Sequence, residues 1–388
     1  MEARTAGRLR KFVAPEFVFG VGASRLAAQY AVNLGARRPM LVTDQGLVDV
    51  GAASRMEGEL RDAGLECVVF SQLTPNPKDH EVIEGARRFR EERCDSLVGL
   101  GGGSVLDCAK GIGVVQANGG SILDYEGVDT IAKPLPPLVG IPTTSGSSAD
   151  VSQFAIITDT TRKVKIALVS KMLVPDVSLI DPELTVTLGP ELTADTGLDA
   201  LTHAMEAYAS NASSPVTDLF ALEAMRLVAG HLAQAVRSPT DIEARTQMSL
   251  ASLNAGLAFS NAILGAVHGM AHSLGGSLDL PHGECNAILL GPVVRYNFPS
   301  APQRYREAAR ALGCAVDGAS DDNVLQALLD TITELRVSVG VTKTLSALGV
   351  TRADIPRLAE LAMKDPCLLT NPRAPTQREI EAIYEAAL

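Results

Sequence analysis

"DSLVGLGGGSVLDCAK", residues 95–110, reads as a strand running through a glycine-rich turn directly into a helix. Gly101, Gly102 and Gly103 let the backbone approach a ligand closely. The helix that follows offers free N–H groups and a positive dipole end, a setting suited to a pyrophosphate. The same residues also make a tight strand-to-helix turn in which Ser104 and Asp107 form a capping box. The motif is not GxGxxG, so its meaning depends on what surrounds it.

Outward from this turn, the first half alternates strands and helices. "PMLVTD" (39–44) precedes a helix near 49–63; "ECVVFS" (66–71) precedes one near 79–93; then comes the quoted strand. Such alternation predicts βαβ units and a parallel sheet. "PPLVGIPTTSGSS" (136–148) adds a strand ending in a second small-residue loop, Thr143, Thr144, Ser145, Gly146 and Ser147. Loops leaving neighbouring parallel strands meet at the carboxyl edge of a sheet, where α/β folds bind nucleotides. "AIITDTTRKVKIALVS" (155–170) reads as a hairpin. From about Gly189 the pattern changes to long helical periodicity rich in Ala and Leu. The fold class is therefore an α/β dinucleotide-binding domain with a parallel sheet, residues 1–188, followed by an all-α domain, residues 189–388. The boundary falls at "LGP" (188–190).

Composition limits the function. A chain of 388 residues exceeds one comfortable core. Its net charge of −11 comes without a polybasic block, which argues against nucleic acid as a partner. Six scattered cysteines form no CxxC pair and suit a reducing cytosol. The N-terminus "MEARTAGRLRKFVAPEF" is basic but lacks the apolar core of a secretory signal, and reads as uncleaved. Thr246–Leu278 holds no Asp, Glu, Lys or Arg and is long enough to span a bilayer. Gln247, Asn254, Asn261, His268 and His272 interrupt it, so it reads as helices buried in a soluble domain.

Inside that stretch and just after it, "VHGMAHSLGGSLDLPHG" (267–283) gathers three of the chain's six histidines. Upstream, "TGLDALTHAMEAY" places Asp199 and His203 four residues apart, on one helical face. His268 and His272 repeat that spacing, and His282 follows a Gly-rich turn and a proline. One carboxylate plus two or three imidazoles on uncharged helices is a donor set for a divalent first-row metal, and it gives a buried carboxylate a partner. Spacing does not say which three histidines bind. Glu206 and Glu284 are further possible donors, though Glu206 reads as a surface residue of its helix. His80 and His231 stand in charged or polar contexts and are set aside.

Taken together, "GGGSVLDCAK", "IPTTSGSSAD", "DALTHAMEAY" and "VHGMAHSLGG…PHG" resemble the iron-containing (group III) alcohol dehydrogenase family, which includes lactaldehyde reductases and propanediol dehydrogenases. The likeness runs from "FVFGVGA" near residue 17 to "DPCLLTNPR" (365–373) and the closing helix. It implies that Asp199, His203, His268 and His282 ligate the metal, and that His272 is an unligated imidazole beside the nicotinamide and substrate. It also implies cofactor contacts from Asp44, Gly102, Gly103, Ser104, Thr143, Thr144, Ser147 and Lys165. The expected activity is hydride transfer between NAD(H) and a small primary alcohol or aldehyde, with His272 relaying the proton. The donor set suits Fe(II), the ion the family name implies, and also Zn(II), Ni(II) or Co(II). The substrate pocket is expected near Phe259, Cys285 and Cys367, in a cytoplasmic homodimer or higher homo-oligomer. Other enzymes on this fold resemble dehydroquinate synthases, whose lyase reaction uses NAD transiently, or zinc-dependent glycerol dehydrogenases. A scaffold protein with a purely structural metal is a third reading.

Overall fold

The computed structural model describes residues 11–388; the N-terminal reading rests partly on residues 1–10, which lie outside them. Among the described residues nine strands run in chain order: β1 (Glu16–Phe19), β2 (Pro39–Val42), β3 (Val68–Phe70), β4 (Ser96–Gly101), β5 (Gly127–Val128), β6 (Leu138–Pro142), β7 (Phe154–Asp159), β8 (Val164–Val169) and β9 (Val177–Ile180). One sheet has the order β1-β9-β6-β4-β2-β3, every neighbouring pair parallel. The central strands are buried on both faces, as apolar runs without alternation require. A smaller sheet, β5-β8-β7, contains the antiparallel hairpin expected over 155–170.

Sheet order locates the ligand edge. From β2 the chain builds outward to β3, then returns to the other side of β2 for β4, so the strand order reverses between β2 and β4. The loops at the carboxyl ends of those two strands flank a crevice of the kind in which open α/β sheets bind ligands. Gly101 at the end of β4 lies opposite Pro142 at the end of β6, so the glycine loop and the 143–147 loop leave side by side. They touch: a Cβ on Gly103 would lie 2.7 Å from the Ser147 side chain, so no side chain fits there unless something shifts.

Two local expectations need correction. The helix after β4, α1 (Gly103–Asn118), begins one residue early, with Gly102 as N-cap and no side-chain cap. Ser104 and Asp107 therefore form no capping box. Ser104 Oγ accepts from Asn76 N, and Asp107 accepts from Ile156 N of the hairpin. The helix expected near 49–63 is two helices, Gln45–Asp49 and Ala52–Asp62, parted by Gly51 at φ 78°. Strands β1, β5 and β9, of four, two and four residues, are not read as strands from the sequence.

From Pro190 on, every described element is helical. The helices that matter for the site are α2 (Pro190–Ala209), α3 (Pro215–Arg237), α4 (Ile242–Ala262), α5 (Ala266–Leu278) and α6 (His282–Asn297). Leu198, Leu201, Met225, Val228, Leu232 and Met248 of α2, α3 and α4 belong to one core. The uncharged stretch forms most of α4 and all of α5, which meet at a 100° bend. Its polar groups are satisfied inside the protein: Asn254 Nδ2 donates to Leu250 O, and Asn261 Nδ2 to Val13 O. Helix α3 is long and apolar enough to cross a membrane. Here it packs one face into the helical core.

Candidate metal and cofactor site

Helix α2 brings Asp199, His203 and Glu206 onto one face through their i, i+4, i+7 spacing. Helix α5 carries His268 and His272, and His282 is the first residue of α6. Asp199 Oδ1 lies 3.6 Å from His268 Nε2 and 3.8 Å from His282 Nε2. All three donor atoms lie within 4.8 Å of one another. Donors about 2.1 Å from one centre, at angles of about 110–120°, sit about 3.4–3.6 Å apart, so this triangle has the size a first-row cation requires. His203 flanks the triangle: its ring stacks on His268, with centroids 4.4 Å apart, and its Nδ1 is 3.8 Å from Asp199 Oδ2. The buried Nδ1 atoms of His203 and His282 have no hydrogen-bond partner.

Glu206, read from sequence as a surface residue, is buried and belongs to the site. Its Oε2 sits 2.6 Å from His268 Nδ1, and its Oε1 accepts from Val267 N at 2.7 Å. The carboxylate thus binds the far side of the His268 ring and turns Nε2 toward the triangle, the role outer carboxylates play for metal-ligating imidazoles. His272 has its own carboxylate, with Nδ1 2.7 Å from Asp365 Oδ2, whose Oδ1 accepts from Cys367 N at 2.8 Å. His272, Asp365 and Cys367 cluster closely enough to suggest a second metal site. A 2.7 Å separation, however, is a hydrogen bond and leaves no room for a bridging cation. The His272 ring lies nearly parallel to His282, centroids 5.3 Å apart.

Electrostatics sort the imidazoles. Burial pulls His203 down to about 3 and holds His282 well below its ordinary value, so both keep lone pairs at neutral pH. Burial also opposes charge on His268, but the nearby Asp199 and Glu206 carboxylates outweigh it and push that ring up to about 9. Asp199 is held far below the carboxylate range: burial opposes its charge, and His203, His268 and His282 overcome that cost. Asp365 is likewise lowered, with burial opposing and the His272 imidazole prevailing.

The residues assigned to the cofactor converge on the same edge. Asp44 follows β2, and its Oδ1 accepts from Leu47 N at 3.0 Å, capping the next helix. Gly146 of the second loop lies so close to Thr196 of α2 that a Cβ would approach Thr196 O to 2.6 Å. Helix α2 is thereby docked on the loop after β6. Lys165 lies over Gly275 and Gly276 of α5; burial pulls its ammonium down to about 8 against the pull of Cys285 and Asp279. Its Nζ donates to Asn76 Oδ1 at 2.8 Å. Asn76, with φ 55°, also donates through its backbone to Ser104 Oγ and through Nδ2 to Asp279. The three residues proposed to line a pocket border this region: Phe259 stacks on His203 at 4.3 Å, Cys285 neighbours Lys165, and Cys367 adjoins Asp365.

Sequence reasoning missed three members, Asn286, Asp365 and Asn76, and misplaced a fourth, Glu206, on the surface. Glu206 and Asn286 carried a signal, lying three and four residues after His203 and His282 on the same helical faces. Asp365 and Asn76 carried none, because each reaches the site only through the tertiary fold.

Comparison with known proteins agrees with this geometry. Residues 14–182 match the iron-containing alcohol dehydrogenase model, and residues 193–388 match the C-terminal model of the same Fe-containing family. The chain is 43% identical to 1,3-propanediol dehydrogenase of Klebsiella pneumoniae, over 95% of this chain and 96% of that one. It is 39% identical to the NAD-dependent methanol dehydrogenase of Bacillus methanolicus, over 97% and 99%. Among solved structures, a 1,3-propanediol oxidoreductase superposes with a TM-score of 0.95 at 42% identity, covering 98% of this chain and all of that one. With carboxylate and imidazoles assembled beside a nucleotide-binding edge, and with relatives matching nearly end to end, the chain belongs to the iron-containing alcohol dehydrogenase family of metal-dependent alcohol and aldehyde oxidoreductases.

Proposed function

We propose that this enzyme transfers a hydride between NAD(H) and a small primary alcohol or aldehyde, and that Asp199, His203, His268 and His282 hold a divalent cation. The observation that carries the reading is the triangle of Asp199, His268 and His282 donors, 3.6 and 3.8 Å apart, with helix α2 docked on the loop after β6. Fe(II) is the proposed ion, in keeping with the family's name, and Zn(II), Ni(II) and Co(II) suit the same donors. When bound, the cation supplies Lewis acidity to the alcohol or carbonyl oxygen. NAD supplies the hydride acceptor. Gly102, Gly103, Ser104, Thr143, Thr144 and Ser147 cradle the cofactor's phosphates and nicotinamide half, with Lys165 across from them. His272, oriented by Asp365, takes up or returns the hydroxyl proton. We assign residues 1–188 to cofactor binding and 189–388 to the metal, in a cytoplasmic homo-oligomer.

An anaerobic panel of short aldehydes with NADH, assayed after reconstitution with each metal separately, tests this. Metal-dependent consumption of NADH matched by alcohol formation is the expected result. A lyase that uses NAD transiently would leave NADH unchanged in every reaction and would overturn the proposal.

Cofactor choice follows from Asp44. A carboxylate at the end of β2 accepts hydrogen bonds from an adenosine ribose but faces the 2′-phosphate of NADP. Two such charges a few ångströms apart repel by about 1 kcal/mol even in water. The nearest downstream arginine in sequence is Arg55. The enzyme is expected to prefer NADH, and Asp44→Gly to raise kcat/KM with NADPH relative to NADH about tenfold. Glycine is tolerated as an N-cap at a cost of a few tenths of a kcal/mol, so the fold should survive. A wild type that already favours NADPH, or unchanged selectivity in the variant, refutes this role.

A further inference from the structure

The side chain that caps one face of the donor triangle is Asn286, one turn into α6 and completely buried. Its Nδ2 donates to Asp199 Oδ1 at 2.7 Å and lies 3.2 Å from both His268 Nε2 and His282 Nε2. Its Oδ1 is buried and has no hydrogen-bond partner. An amide can exchange its two ends by turning about one bond, so its orientation is set by what it meets. Here the N–H end meets the Asp199 carboxylate and the His282 ring nitrogen, and the carbonyl end is left without a partner. The positive end of the amide dipole points at Asp199 Oδ1 and at the His282 Nε2 lone pair, two of the donors that a cation needs.

We propose that Asn286 is a built-in competitor for the metal: its two amide N–H bonds engage the Asp199 and His282 donors, so that a cation can take them only once the amide has turned away. The inference rests on those residues being the metal site. The amide ties α6 to α2 by giving the buried Asp199 carboxylate a hydrogen-bond donor 2.7 Å away, a contact that the cation would replace. Whatever favours the metal-free state lowers the apparent affinity for metal. A residue that orients or ligates the ion would act in the opposite sense, which makes the direction of the effect decisive.

The experiment measures Co(II) and Zn(II) binding to chelator-treated full-length wild type and Asn286→Ala by calorimetry, with thermal melts of the metal-free and metal-saturated forms. A hydrogen bond to a charged group is worth about one to two factors of ten in an equilibrium. Asn286→Ala is therefore expected to bind both ions about tenfold more tightly, with a lower Tm for the metal-free protein and an unchanged Tm for the saturated one. Asn286→Ser, smaller in its perturbation, should shift both readouts in the same direction, and it serves if the alanine variant does not fold. Weaker or unchanged binding in the folded variants overturns the proposal while leaving the metal site intact. Wild type that binds neither ion, or whose binding is unaffected by His268→Ala, overturns the metal site itself and this proposal with it.

Discussion

Replacing His268 by alanine is expected to remove most of the metal and to lower kcat/KM by about 10³-fold or more. The ring supplies one corner of the triangle, 3.6 Å from Asp199 Oδ1, and is almost completely buried, so no water-exposed side chain can swing in to replace it. Lewis-acid stabilisation of a developing oxyanion is worth several kcal/mol, and each 1.36 kcal/mol is a factor of about ten in rate, which sets the scale. Glu206→Gln provides the graded comparison. It keeps the imidazole but weakens the carboxylate contact at Nδ1, and loss of such a partner costs about 10- to 100-fold in metal affinity. Elemental analysis and steady-state kinetics on the same preparations decide the matter. Full metal occupancy with normal turnover in His268→Ala would remove His268 from the site. Chelation that unfolds the helices with no earlier loss of turnover would mark the ion as purely structural.

How far the sequence carries the argument depends on whether a feature is local. The strand–glycine–helix unit at 96–118 is legible because each signal, an apolar run, a turn without side chains and a helical period, lies within a few residues of the next. The hairpin at 154–169 and the change to helices at Pro190 are legible for the same reason. What failed was finer. The cap of α1 moved because Gly102 takes the N-cap position, which left Asp107 to bond to the hairpin backbone at Ile156. Glu206 was misjudged because a charged residue on a helix is usually solvated. Here the buried backbone N–H of Val267 and the His268 ring give the carboxylate enough partners to stay inside. No periodicity encodes the pairing of His272 with Asp365, since 93 residues separate them and the contact exists only once the C-terminal segment docks on α5. Sequence thus reveals which side chains share a helix face, and the fold decides which of them share a hydrogen bond.

That last pairing underlies the second large effect, expected at His272. With Nδ1 committed to Asp365 at 2.7 Å, the imidazole is held in one orientation, and its Nε2 is the nitrogen left to exchange a proton. The ring stands beside the donor triangle, 5.3 Å from His282 between centroids, yet the compact three-donor set of Asp199, His268 and His282 excludes it. A positioned acid–base group contributes about 10²- to 10⁴-fold, so His272→Ala is expected to lower kcat by at least about 10²-fold while retaining its metal. Asp365→Asn keeps a hydrogen-bonding group at the same place but removes the charge that favours one ring orientation. It should therefore lower kcat less than His272→Ala does and leave KM for the aldehyde nearly unchanged, the signature of an interaction used in the transition state and not in ground-state binding. Combining the two changes should add little to the His272→Ala loss, because residues acting as a unit are not additive. If His272→Ala instead loses its metal, the ring is a ligand and the assignment fails. If Asp365→Asn lowers kcat fully even when His272 is already absent, the carboxylate acts on something other than the imidazole.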